Sequence, residues 1–428
     1  MATVSPVGAV DSAAGAKRIE LVSDRNKGPP DEPDALAVDD GLCDGGVTKV
    51  SLDFQGELNA FASEWPTLDD PKSAICHGFQ TADFIRAWVD TIGAACGAEV
   101  AFVRVSEAGG LRRPLMFLPF AIETRKGVRI LRFIDGDVSD YNGPIVFPWT
   151  PDWSAPDCQT LWRRVLEVLP AIDVVALEKM PKTILGATNP LAALKTEPWP
   201  VSCHAATLLK DWPTFAEERT SPPKRYARYQ RSLRREYDVV YTASDAMDQE
   251  AANAALVSLF KQKARRFAET RVPGFEAGDG KQDFYTAMTL NQASQPHVHL
   301  SVLTANDEVL ACQWGFVFKD RYYYLICGNE TGVWAKYSPG RMINEAMLEW
   351  CHEQGLTYAD FGIGDEAYKY EYCDEHATLL SHRAALTAKG RLFVSGTQAL
   401  ERLRASSIWQ KVRPYKWIVL RALRGERK

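Results

Sequence analysis

None of the nine cysteines stands in a CxxC pair, and the total is odd. Those two absences argue against a structural zinc site and a disulfide framework, and they suit a reducing compartment. No stretch reaches the ~18–20 apolar residues of a membrane-spanning helix, and no charged segment leads into an apolar one at the start. The expectation is a soluble, unexported, cytoplasmic protein. Positive charge is not in excess either: 50 Lys and Arg against 55 Asp and Glu leave a net −5. No global field therefore draws in nucleic acid or anionic lipid, no DNA partner is expected, and any polyanion site has to be local.

What remains is ordinary globular material, 428 residues with 46% apolar and 25% charged. That is more than one core usually holds at ~100–200 residues per domain, so two domains are expected. Residues 1–55 are rich in Ala, Gly, Asp and Pro, with Gly28-Pro29-Pro30 and Asp39-Asp40-Gly41, and read as a disordered leader.

Apolar spacing at Phe84, Ile85, Trp88, Val89 and Ile92 predicts a helix, followed by strands at Glu99–Val105, Pro114–Glu123 and Val128–Ile134. A second helix is predicted at Cys158–Leu169 and a buried strand at Asp173–Leu177. The second half repeats the order, with helices around Ala252–Lys263 and Asp283–Ala293 and strands at Val298–Thr304, Val309–Phe318 and Arg321–Cys327. Asn306-Asp307 and Lys319-Asp320 stand where tight turns belong. A helix at Met342–Gln354, stopped by Gly355, leads into a strand at Thr357–Ile363. One order of elements used twice suggests duplication.

The informative stretch is Tyr337-Ser338-Pro339-Gly340-Arg341, between the aromatic run Tyr322-Tyr323-Tyr324 and an amphipathic helix. A helix start offers unpaired N–H groups and the positive end of the dipole to anions such as a pyrophosphate. Ser338 suits the N-cap, Pro339 the first helical position, and Gly340 a close approach to the backbone. Arg341 adds charge-assisted bonds.

This loop, followed after its helix by Asp360-Phe361-Gly362-Ile363-Gly364-Asp365-Glu366-Ala367-Tyr368-Lys369, resembles the CelD-like branch of the general N-acetyltransferase (GNAT) superfamily, associated with cellulose and exopolysaccharide biosynthesis. Leu118-Pro119-Phe120 and Ser139-Asp140-Tyr141 stand where that branch has similar motifs. The resemblance spans about residues 78–391. It implies an α/β (α+β) fold of two tandem GNAT-like units, each a mixed, mostly antiparallel sheet flanked by helices. It also implies an acyl-CoA donor such as acetyl-CoA as co-substrate, held at Tyr337–Arg341, with a small-molecule or saccharide acceptor entering from the opposite side. The Gln/Arg-x-x-Gly-x-Gly loop of ordinary GNAT enzymes is replaced here by Tyr-Ser-Pro-Gly. The related Fem-type transferases, also double units, use aminoacyl-tRNA.

Acyl transfer needs a base for the acceptor proton and an acid for the leaving thiolate. Asp360 and Asp365 are the base candidates, Tyr368 the acid, and Lys369 a partner for either aspartate; a solvated turn is the alternative. No metal is expected: His297 and His299 alternate along a strand without a third ligand and read as a wet surface pair. The basic stripe Lys224-Arg225, Arg228, Arg231, Arg234-Arg235 faces either solvent, a phosphate-rich donor or an anionic acceptor. The aromatic, basic segment Ile408–Lys428 packs on the second domain or touches an anionic bilayer.

The expected division is a leader at 1–55, a degenerate GNAT-like unit at 56–200, the catalytic unit at 201–395 and a tail at 396–428. The favoured function is acyl transfer to an amine or hydroxyl, with a role in polysaccharide or cell-envelope biosynthesis. The alternatives are an aminoacyl-tRNA-dependent transferase, against which the acidic balance speaks, and a non-catalytic module of a polysaccharide-synthesis complex.

Overall fold

The turns that the sequence marks are the ones that fold the sheet. Asn306 and Lys319 both adopt positive φ, at 52° and 57°, and Lys126 with Gly127 does the same in the first half. Each therefore reverses the chain within two residues, as a twisted hairpin requires. The computed structural model describes residues 18–21, 35–39, 47–61, 63–108, 112–208, 210–220, 224–270 and 278–405. Ile408–Lys428 lies outside them.

Strands β1 (Arg18–Leu21), β2 (Ala35–Asp39), β3 (Val47–Gln55), β4 (Glu99–Glu107), β5 (Pro114–Arg125) and β6 (Val128–Phe133) form an antiparallel run. Part of the stretch read as a leader is thus strand: Val50, Ser51 and Leu52 are buried in β3 against β4. After the short β7 (Ile145–Val146) and helix Ala155–Val168, β8 (Val174–Met180) lies parallel to β6. A small hairpin follows, β9 (Thr183–Ile184) and β10 (Ala187–Thr188). Next comes β11 (Glu197–Thr207).

The second half repeats the plan. Strands β12 (Val239–Ala243), β13 (Val298–Ala305), β14 (Glu308–Phe318) and β15 (Arg321–Asn329) are antiparallel. Helix Pro339–Glu353 crosses over to β16 (Tyr358–Ile363), parallel to β15, and β17 (Glu375–Ala385) follows. The fold is thus mixed α/β, a large and mostly antiparallel sheet flanked by helices, with one element order used twice.

The two units are joined by an exchange. β17, at the end of the second unit, pairs with β8 of the first, while β11, which leaves the first, pairs with β16 of the second. β11 and β17 also pair with each other, making one continuous sheet. Aromatic packing crosses the same seam: Phe79 meets Phe316 at 5.4 Å and Phe84 meets Phe284 at 4.9 Å between ring centroids. No helix among the described residues is long and apolar enough to cross a membrane.

Candidate active site

Parallel strands β15 and β16 are in register only at Arg321↔Tyr358, Tyr322↔Ala359 and Tyr323↔Asp360. Beyond that point both continue, to Asn329 and Ile363, without pairing. Strands that part leave backbone N–H and C=O groups without ladder partners, and such groups demand others. A cleft of about 850 Å³ opens there, walled by Tyr324 and Cys327 from β15 and by Phe361 and Ile363 from β16. The loop Ser338–Arg341 closes one end, and Asp140 and Lys179 reach in from the first unit. The matching parting of β6 from β8 is narrowed by its own loop to a cavity of about 130 Å³. There Lys179 Nζ donates to Asp135 Oδ1 and to the Ser139 carbonyl, both at 2.9 Å, and Asn142 donates to the Glu178 carbonyl.

Of the residues expected to hold a donor, Ser338, Pro339, Gly340 and Arg341 line the cleft. Pro339 opens the helix, and Ser338 precedes it in the left-handed region at φ 54°, its hydroxyl making no capping bond. The expected N-cap is therefore in place by position but not by hydrogen bond, and its hydroxyl is left for other partners. A Cβ on Gly340 would come within 3.3 Å of Asn329 Oδ1, so the loop sits against the end of β15. Arg341 is already engaged: Nε donates to Glu345 at 3.0 Å and Nη1 meets Glu371 at 2.8 Å. Tyr337 does not face the cleft. It is buried beside Trp334, Leu233 and Met342.

The expected catalytic residues separate. Asp360 is 1% exposed and holds three donors, Tyr141 Oη at 2.8 Å and the Gly362 N–H at 2.9 Å on Oδ1, and Arg321 at 2.8 Å on Oδ2. Burial pushes its carboxyl above the usual range while Arg321 opposes. It lies on the side away from the donor cleft and anchors Arg321 and Tyr141. Asp360→Ala is expected to cost about 3–5 kcal/mol by leaving Arg321 buried and unpaired, measured by urea unfolding. Adding Arg321→Met should recover part of that loss.

Asp365 is largely exposed and accepts from the Ser202 N–H and Tyr370, and His204 Nε2 lies 3.4 Å away; desolvation pushes its carboxyl up, but these interactions together outweigh it and hold it below the usual range. Lys369 pairs with neither aspartate. It donates to the Ile363 carbonyl and lies 3.2 Å from Glu366. Tyr368 lines the cleft, and burial, reinforced by Glu366, holds its phenol protonated, as a proton donor must be. The two histidines do not form a wet pair: His297 ends a short helix, whereas His299 is 1% exposed, bonded to Tyr241 and Tyr322.

The group that sequence reasoning did not single out is Asp140. Burial pushes its carboxyl up to about 7, with Lys179 and Lys369 pulling the other way. No hydrogen bond or ion pair within the described residues occupies it, and it lines the cleft. A Cβ on Gly362, whose φ is +66°, would fall 1.8 Å from Asp140 Oδ2, so the glycine makes room for this carboxylate. Its signal was the Ser139-Asp140-Tyr141 motif. Tyr141, the next residue, lines a second cavity of about 1030 Å³. Two further cleft groups carry no sequence signal. Lys263 packs over Phe267, its ammonium disfavoured by burial, and Asn344 has a buried amide oxygen without a partner.

Residues 223–370 match the acetyltransferase (GNAT) domain family. The matched GNAT segment contains β12 to β16, the parted strands and the loop at their head. No curated protein matches the sequence. Among solved structures, FemX shares 10% identity at a TM-score of 0.49, over 77% of this chain and 95% of that one. A tandem GNAT protein from the clavulanic acid biosynthesis pathway shares 12% at 0.41, over 79% and 100%. The C-terminal domain of a putative lysylphosphatidylglycerol synthetase from Agrobacterium fabrum shares 10% at 0.43, over 74% and 96%.

Proposed function

We propose that the chain is an acyltransferase that moves an acyl group from an acyl-CoA thioester to an amine or hydroxyl. The observation that carries this reading is the parting of two parallel strands inside the matched GNAT segment, with an unpartnered carboxylate against one of them. The unpaired strand edges suit the amide groups of an extended pantetheine arm. The residues at the head of the cleft suit its phosphates: the start of a 15-residue helix, the free Ser338 hydroxyl and the ammonium of Lys263. Asn344 Oδ1 awaits a donor in the same cleft.

In this reading the acceptor approaches through the 1030 Å³ cavity that begins at Tyr141, one residue from Asp140. Its lone pair attacks the thioester carbonyl, Asp140 takes the proton released on attack, the C–S bond breaks, and Tyr368 protonates the thiolate. The first unit supplies Asp140 while its own cleft is narrowed to about 130 Å³. A sugar bearing an amine or hydroxyl, as expected for polysaccharide or envelope chemistry, is one acceptor class within this reading.

Acetyl-CoA at ~100 times its dissociation constant is expected to stabilise the protein by ~2.7 kcal/mol, read as a rise in thermal midpoint. Gly340→Asp should abolish the rise by placing a carboxylate at the helix start. A rise that survives this substitution would move the donor elsewhere.

A second reading, an aminoacyl-tRNA donor, draws on one observation. Helix Lys224–Glu236 exposes Arg228, Arg231, Arg234 and Arg235, and Tyr237 just beyond it packs against Trp334 of the loop before Ser338. Binding of tRNA that weakens steeply with salt, together with no response to acyl-CoA, would favour it.

A further inference from the structure

The 1030 Å³ cavity holds a chain of side chains that the scheme above does not use. His204 on β11 and His376 on β17 are cross-strand neighbours, and their Nδ1 atoms lie 2.8 Å apart. His204 has no exposed side-chain surface, and its Nε2 lies 3.4 Å from Asp365 Oδ1. His376 is exposed and lines the cavity. Asp365 sits just after β16 and just before Glu366, which lines the donor cleft, so the chain runs from the rim of one cavity into the other.

The geometry selects the tautomers. A carboxylate is an acceptor only, so the His204 nitrogen that faces Asp365 carries the proton. Burial lowers the pKa of His204, with Asp365 opposing, so the ring rests neutral and its Nδ1 is a lone pair. A nitrogen 2.8 Å from that lone pair has to be a donor, so His376 carries its proton on Nδ1. His376 Nε2 is then a free lone pair on a side chain open to the cavity. The other arrangement would set the lone pair of His204 Nε2 against a carboxylate. The remaining groups around the pair are Tyr370, whose ring is 4.7 Å from His204 and 5.1 Å from His376, Lys369, which disfavours charge on His204, and Asp374 and Glu375 along the cavity wall.

We propose, on the footing of the acyl-transfer reading above, that His376 is a second general base, that His204 and Asp365 are its positioning residues, and that the acceptor is therefore a primary amine entering as its ammonium. An alcohol gives up one proton during acylation, and Asp140 accounts for that one. An ammonium gives up two. The first must leave before nitrogen has a lone pair, and the second leaves after attack. His376 Nε2 takes the first, R–NH3+ becoming R–NH2 and the ring an imidazolium that later returns its proton to solvent. Asp140 takes the second, and the leaving thiolate receives one from Tyr368.

The test measures thiol release from acetyl-CoA by the full chain between pH 6 and 10, with putrescine, glucosamine and lysine amide as amine probes and butanediol and glucose as hydroxyl counterparts. The amines should be used and the alcohols not. His376→Gln should lose at least ~100-fold at pH 7, a typical share for a general base. With putrescine the loss should shrink to a few-fold towards pH 10, where an alkylamine near its solution pKa of ~10.4 sheds its own proton. Asp365→Asn and His204→Gln should give the same shape with smaller amplitude. A defect equal at every pH, no defect, or preference for the alcohols would overturn the assignment while leaving acyl transfer standing. If the unaltered chain transfers to no probe, the acyl-transfer reading fails, and imidazole nitrogen NMR of the full chain judges the relay alone. The His376 ring should be held as the Nδ1–H tautomer with Nε2 unprotonated, and an Nε2–H tautomer there overturns the relay.

Discussion

Asp140→Asn is expected to lower kcat for acetyl transfer by about 10²–10⁴-fold while leaving the acetyl-CoA thermal shift in place, because it removes a proton acceptor without altering shape. The pH dependence gives the sign. With its carboxyl pushed up to about 7, Asp140 is largely protonated at pH 6 and largely ionised at pH 8. The rate for the unaltered protein should therefore climb as pH rises through about 7, and that limb should be absent in the variant.

Stability should move the opposite way. A carboxyl whose folded pKa lies above its unfolded value favours the folded state at low pH and costs stability once pH passes the unfolded value, the cost being complete above the folded pKa. At pH 8 the amide escapes a cost on the order of a few kcal/mol, whereas at pH 4 the two proteins should be about equally stable. Denaturant unfolding at the two pH values reads this directly. A variant that loses activity and gains stability at pH 8 identifies a carboxylate held for chemistry, since a structural carboxylate removed from its partners would lose both. Failure to stabilise would mean that the group is solvated or paired and is not the base.

How far the sequence could be read depends on whether the signal was local. Hairpin turns, the amphipathic helices and the helix start at Pro339 are written in spacings of two to four residues, and the structure places them within a few residues of expectation. The repeated element order was visible for the same reason. Asp360 shows only its burial in sequence, as a carboxylate in an apolar strand, whereas Tyr141 and Arg321, the partners that occupy it, stand 219 and 39 residues away. Asp140 is the converse case: the Ser139-Asp140-Tyr141 motif marks it in sequence, but its burial, which raises its pKa, and the room that Gly362 leaves for it, 222 residues away, appear only in the fold. The His204–His376 pair spans 172 residues and needs both exchanged strands in place before either imidazole has its neighbour.

Those exchanged strands were the largest feature that could not be read. β11 carries Pro198 and Pro200 and no alternation of apolar with polar residues, and β17 is exposed along much of its length, so neither has the two-residue period of a half-buried strand. Their pairing makes each unit depend on the other for the strand beside its last parallel one. The consequence is a strong prediction: a fragment of residues 47–208, expressed alone, should be insoluble or unfolded, and so should 210–405. The first would present β8 and β11 as open edges without β17, and the second would leave β16 without β11, which invites aggregation. Each would also expose aromatics now shared across the seam, among them Phe79, Phe84, Phe284 and Phe316, at about 1.5–3 kcal/mol per side chain. Against a typical total of about 5–15 kcal/mol, neither fragment has that to lose. The same two fragments produced together should assemble, since the break falls in the short segment between β11 and helix Trp212–Phe215. Circular dichroism and gel filtration of each fragment, alone and together, check both halves of the expectation. A well-folded 210–405 fragment on its own would mean that β11 is a dispensable edge strand and that the His204–His376 pair is not needed to hold the second unit in shape.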